Sequence, residues 1–218
     1  MRLPDPPLLV ITDRHQARRP IESVAEAVFA GGCRWLSLRE KDLDAESRQA
    51  LLSRLVALGR RFGATVMVHE DIEAAIAVAA DGVHLPSGAS PVAARRRLGA
   101  RALIGCSAHD ATELAAAAGA DYATLSPIFP SPSKPGYGPP VGIARLASAV
   151  AAVHLPVIAL GGIDATNIAP CVGAGAAGVA VMGGVMAAAD ATAVMAGLIK
   201  TLADALAARG THGHSGLF

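Results

Sequence analysis

Short runs of β-branched and apolar residues recur at LLVIT (8–12), RWLSL (34–38), TVMV (65–68), GVHL (82–85), ALIGCS (102–107), DYATLS (121–126), VIAL (157–160) and GVAVM (178–182). Each has the length and continuity of a strand covered on both faces, so eight β-strands are predicted. Alanine-rich segments with helical spacing lie between them. Over 43–61, Leu43, Leu51, Leu52, Leu55 and Leu58 share one stripe while Arg48, Arg54 and Arg60 face elsewhere. Helix starts carry side chains that can accept from the first free N–H groups: Asp44 before Ala-Glu-Ser, Asp110 followed by Glu113 at capping-box spacing, and Asp164 before Ala-Thr-Asn.

Strand and helix thus alternate. VAADGVHL, AGADYATL and AGAAGVAV each end a helix and enter a strand through the same frame, as if one unit had been reused. Eight such units in 218 residues fit an α/β fold, a single-domain TIM (β/α)8 barrel over 1–209, with 210–218 a flexible C-terminal tail. A doubly wound open sheet is the competitor. The lack of a G-x-G-x-x-G turn after the first strand, and glycine pairs that fall after the seventh and eighth, favour the barrel.

Composition narrows the function. Hydrophobic residues make up 52% and aromatics only 3%, so the core is built from Ala, Val, Leu and Ile. Lys plus Arg (19) balances Asp plus Glu (18), which leaves no field to hold a nucleic acid or an anionic membrane and points to a small-molecule ligand. Charge or glycine interrupts the alanine-rich stretches before the roughly 18 residues of a membrane span, so a cytoplasmic protein is expected. Cys33, Cys106 and Cys171 lack C-x-x-C spacing and read as buried thiols. His212 and His214 read as part of a polar disordered end rather than a metal site.

In a barrel, function gathers where strands end. Gly161-Gly162 and Gly183-Gly184 follow the last two strands, where backbone N–H groups can approach a phosphate. The Pro- and Gly-rich segment 123–142 is too long for a connector and offers Ser131, Ser133 and Lys134 to an anion, as a lid or binding loop. Arg39 continues the inward alternation of Trp35 and Ser37, and Lys41 follows it; both suit a carboxylate or phosphate. Arg95-Arg96-Arg97 reads as a solvated helix face. His109, just after the fifth strand, can give and take protons near neutrality. His84, within a strand, reads as packing or hydrogen bonding. The loop that follows it, Pro86-Ser87-Gly88, holds no carboxylate, amine or thiol.

ITDR, LREK, ADGVHL, IGCSAHD, GADYATLSPIFPSPSK, PVIALGGI and GAAGVAVM, in this order over residues 8 to 200, resemble the superfamily of thiamine phosphate synthase and the TenI-type thiazole tautomerase. The resemblance implies a TIM barrel in the thiazole branch of vitamin B1 synthesis. In the synthases, Asn-Asp after strand three and Gly-Gln-Glu-Asp after strand four supply two Asp that hold magnesium. Here those segments read His69-Glu70 and Pro86-Ser87-Gly88-Ala89, so one carboxylate is Glu and the other is absent.

The expectation drawn from that difference is a thiazole tautomerase, an isomerase without cofactor that aromatises a thiazole carboxylate phosphate, in which His109 moves the proton. Arg39, Lys41, Ser131, Ser133 and Lys134 bind a thiazole phosphate substrate, and Gly161, Gly162, Gly183 and Gly184 bind its phosphate. The alternative is thiamine phosphate synthase, which joins a hydroxymethylpyrimidine diphosphate to the thiazole phosphate with Mg2+ on Glu70 and Asp71. A third reading is a non-catalytic thiazole-phosphate-binding regulator. None of these needs a nucleic acid or membrane partner, and all are compatible with a homo-oligomer.

Overall fold

The computed structural model describes residues 3–130 and 140–212. Eight strands lie where the sequence places them: β1 Leu8–Ile11, β2 Trp35–Leu38, β3 Thr65–His69, β4 Gly82–Leu85, β5 Leu103–Ala108, β6 Tyr122–Leu125, β7 Val157–Leu160 and β8 Gly178–Val181. All neighbouring pairs are parallel, and β1 closes onto β8, giving a TIM barrel. The outer ring is α1 Ile21–Ala30, α2 Ala45–Arg61, α3 Ile72–Ala77, α4 Pro91–Leu98, α5 Ala111–Ala116, α6 Gly142–Ala151, α7 Ile168–Gly173, the short α8 Gly183–Met186 and α9 Ala191–His212.

Alternation along each strand sorts the core in two. Outward residues such as Val10, Leu36, Val66, Val83 and Ile104 pack beneath the helices. Leu9, Ile11, Trp35, Met67, Leu103, Tyr122, Ile158 and Ala180 fill the barrel interior. With so few aromatics, the interior depends on one pair: Trp35 and Tyr122 meet edge to face with centroids 4.7 Å apart. Glycines make room opposite the large side chains. Gly82 pairs with Leu103 and Gly105 with Tyr122 across the ladder.

The reused frame has a physical basis. The N–H groups of Asp81, Asp121 and Ala177 each donate to the preceding strand, at Val66, Ile104 and Val157. In the first two, the Asp carboxylate also accepts from that strand residue's own N–H, at 2.7 Å in both cases. Asp44 and Asp110 cap α2 and α5 as expected, through the N–H groups of Ser47 and Glu113. Asp164 does not begin a helix. It closes a turn on Thr166, and α7 starts at Ile168 with Asn167 before it.

Arg95 corrects the solvated reading of its helix face: it donates to the Ala102 carbonyl and bonds Asp121 at 2.6 Å, clamping α4 to the start of β6. Cys33, Cys106 and Cys171 are free and buried, and burial pushes the Cys33 thiol up to about 12. By length and composition alone α9 is apolar enough to cross a membrane; in the barrel it packs against α1 and α7. It runs to His212.

Candidate active site

A cavity of about 770 Å³ opens at the carboxyl ends of the strands. Arg39, Lys41, His109, Gly161, Gly162, Gly183 and Gly184 all line it, so the expected residues from β2, β5, β7 and β8 converge. Ser131, Ser133 and Lys134 lie outside the described residues.

The β2 exit is built around a carboxylate, Glu40, set between the two cations Arg39 and Lys41. Glu40 is 2% exposed and accepts from the Arg14 backbone N–H with both oxygens at 3.1 Å. Arg14 also pairs with Asp42, which holds that carboxyl well below its usual range. Together these contacts pin the loop after β1 to the loop after β2. The Arg39 N–H donates to Thr12 Oγ1 at 2.9 Å, so Arg39 and Lys41 sit on a fixed backbone.

Glu70 adopts a left-handed backbone, φ 65, that non-glycine residues seldom take and that often marks functional sites. Its carboxylate lines the cavity and pairs with Lys41. Asp71 turns away, caps α3 through the Ala74 N–H at 2.9 Å and pairs with Arg48 at 2.7 Å. Of the alternative metal pair, Glu70 lines this cavity, and both residues line an adjoining one, where the Asp71 carboxylate is taken by Arg48. Among the described residues, no three His, Cys, Asp or Glu side chains gather as a metal cluster.

The cavity floor is polar. Ser37 Oγ lies 2.9 Å from His69 Nδ1, and the His69 and His84 ring centroids lie 4.6 Å apart with the rings tilted by 38°. His84 is hydrogen-bonded, as its strand position suggested. Its Nδ1 lies 2.9 Å from the Tyr122 hydroxyl and its Nε2 3.0 Å from Ser107 Oγ. Burial, reinforced by the positive charges of Arg39 and Lys41, pushes His84 down to about 3, so it stays neutral. Ser107 also lines the cavity and was not singled out beforehand. Its signal in the sequence is its place at the end of the fifth strand, two residues before His109, together with inward alternation through Gly105.

His109 is held by Glu113, whose Oε2 accepts from both the His109 N–H and Nδ1 at 2.8 Å. The loop after β4 contributes Ser87 here: its hydroxyl, together with His109, helps keep the Glu113 carboxyl charged against the opposing effect of burial. At the far wall, Gly161 and Gly162 have φ of 96 and 65. A Cβ on either would collide with residues 127–130, at 2.7 Å from Pro127 Cα and 2.5 Å from the Pro130 carbonyl. Packing thus requires these glycines whether or not phosphate binds. The pair after β8 opens α8, a short extra helix at the place where TIM barrels commonly hold phosphate.

The family profile described as thiamine monophosphate synthase matches residues 8–185. The chain is 37% identical over 208 residues to the thiamine-phosphate synthase of Roseiflexus sp., covering 94% of this chain and 88% of that protein. It is 42% identical over 207 residues to the thiamine-phosphate synthase of Methanoculleus marisnigri, with coverages of 92% and 97%. The solved thiamine phosphate pyrophosphorylase of Pyrococcus furiosus matches with a TM-score of 0.80 at 31% identity, over 91% of this chain and 96% of that one. These relatives overturn the isomerase expectation. They carry the name of the synthase, the reading held as the alternative, and the tautomerising role drawn for His109 loses its reaction.

Proposed function

The chain belongs to the thiamine monophosphate synthase family, and from that premise we propose that it is a cytoplasmic transferase. It joins a hydroxymethylpyrimidine diphosphate to a thiazole phosphate and releases diphosphate. The observation that carries this reading is that one cavity of about 770 Å³ is lined by cations at one place and by glycine turns at another, and we assign an anion to each place. Arg39 and Lys41 with Ser107 form one, and the glycine turns after β7 and β8 form the other.

In the reaction, the bond from the pyrimidine's methylene carbon to the diphosphate oxygen breaks, and its electron pair leaves with the diphosphate. The lone pair of the thiazole ring nitrogen forms the new carbon–nitrogen bond. The negative charge gathering on the leaving group is met by Arg39 and Lys41, whose field already reaches the floor at His84. The Ser107 hydroxyl adds a neutral donor. The turns at Gly161-Gly162 and Gly183-Gly184 hold the thiazole phosphate so that its ring nitrogen faces the methylene carbon. Glu70 competes with the diphosphate for Lys41 and must release it when the substrate enters.

The test is to incubate the protein with both substrates and Mg2+ and follow the products by mass spectrometry. Thiamine phosphate and diphosphate are expected in equal amounts, and neither when one substrate is left out. Failure to form thiamine phosphate under any metal condition overturns the reading.

A further inference from the structure

Tyr122, His84 and Ser107 form a row from the sealed barrel interior to the cavity. Tyr122 and His84 are 0% and 1% exposed, and Ser107 lines the cavity wall. The two contacts of the imidazole, 2.9 Å to the Tyr122 hydroxyl and 3.0 Å to Ser107 Oγ, use both ring nitrogens. A neutral imidazole has one donor and one acceptor nitrogen, so the row can run in only two directions.

In one direction, Nδ1–H donates to Tyr122. The phenol hydrogen must then turn to Met67 Sδ, 3.7 Å away, a weak acceptor that already receives the Trp35 indole N–H at 3.1 Å. Ser107 spends its hydrogen on Nε2 and shows the cavity only lone pairs. In the other direction, Tyr122 donates to Nδ1, a far better acceptor at a far better distance. Nε2–H then donates to Ser107, whose own hydrogen is released toward the cavity. Thr124 Oγ1, at 3.5 Å from Nε2, is a more distant partner that leaves this order unchanged.

We propose that Tyr122 and His84 are positioning residues that fix the Ser107 hydroxyl as a hydrogen-bond donor to an anionic phosphoryl oxygen in the cavity. The assignment of that oxygen to the diphosphate substrate rests on the proposed function; the direction of the row does not. No bond is made or broken. The chain stores a preset donor that an aqueous hydroxyl would have to reorient to provide.

The closing experiment reads the His84 tautomer directly, by nitrogen-15 NMR of histidine-labelled full-length protein, free and with inorganic diphosphate. The Nε2-protonated form is expected in both. The Nδ1-protonated form in either overturns the proposal, whether or not synthase activity is found. In calorimetry with inorganic diphosphate, Tyr122→Phe is expected to weaken binding about 3- to 10-fold, the range of a neutral hydrogen bond. Ser107→Ala is expected to erase that difference, because the relay acts only through Ser107. Additive losses would show that Tyr122 acts on binding independently of Ser107 and would overturn the relay. Diphosphate binding and tautomer as expected, with no thiamine phosphate formed, would remove the synthase reading and leave the relay standing.

Discussion

Tyr122 lies across Gly105 in the β5–β6 ladder so closely that a Cβ on Gly105 would stand 2.1 Å from Tyr122 Cζ and 2.4 Å from its hydroxyl oxygen. The glycine is therefore the space into which the ring fits, and the hydroxyl's position against His84 depends on it. Gly105→Ala is expected to displace the ring and cost about 1–3 kcal/mol, the range of overpacking in a filled core. Chemical denaturation measures the loss. Diphosphate binding should fall with it, and an unchanged denaturation midpoint would show that the ring has room to move.

His84 gives the fold an acid sensitivity of known sign. Its ordinary value is 6.5, and in the folded barrel it is pushed down to about 3 by burial and then by Arg39 and Lys41. Between those values the unfolded chain takes up a proton that the folded chain refuses, so stability falls as pH falls below about 6.5. The loss between pH 7 and pH 5 is about 2 kcal/mol, set by the unfolded value alone because the folded one lies well below pH 5. His84→Gln retains a hydrogen-bonding side chain and cannot titrate. Its stability should fall by about 2 kcal/mol less over the same interval, with the other histidines cancelling in the comparison.

Because Glu70 faces the cavity paired to Lys41 while Asp71 is committed to Arg48, a divalent cation has little to bind until a diphosphate brings oxygens of its own. Manganese titrated into the protein is expected to keep its free electron-resonance signal to about millimolar concentration, and to lose it once inorganic diphosphate is added. Glu70→Gln frees Lys41 and should tighten metal-free diphosphate binding about two- to five-fold, the scale of a half-exposed ion pair. A manganese site that fills without diphosphate would contradict this account.

The barrel was readable because its signal is local. Each strand is a short unbroken apolar run, each helix a stripe, and the late glycine pairs mark which end holds the ligand. The convergence of Arg39, Lys41 and His109 was readable from their place after strands. What stayed hidden depends on neighbours across the barrel. Glu113 looked like half of a capping box for Asp110, yet its side chain reaches back to His109 instead. Arg95 looked solvated because its partner, Asp121, is 26 residues away. The absence of the second metal-site Asp was read as a change of reaction. Relatives similar over more than nine-tenths of the chain carry the synthase name all the same.

At the opposite rim, Asp121 should be a purely structural residue. Its Oδ2 accepts from the Ile104 N–H at 2.7 Å and from Arg95 at 2.6 Å, closing the turn from α5 into β6. Asp121→Ala leaves the Ile104 N–H without its carboxylate and the guanidinium without its charge partner. The expected cost is about 2–3 kcal/mol, with Asp121→Asn between the two because it keeps one acceptor. Activity per folded molecule should be unchanged, since the cavity lies at the other ends of the strands. Asp81 closes the matching turn through Val66 and should behave alike. At the third copy of the frame, Ala177 makes only the backbone bond to Val157, so the frame itself does not require the carboxylate. If Asp121→Ala lowered kcat with no loss of stability, the amino-terminal rim would have to communicate with the site.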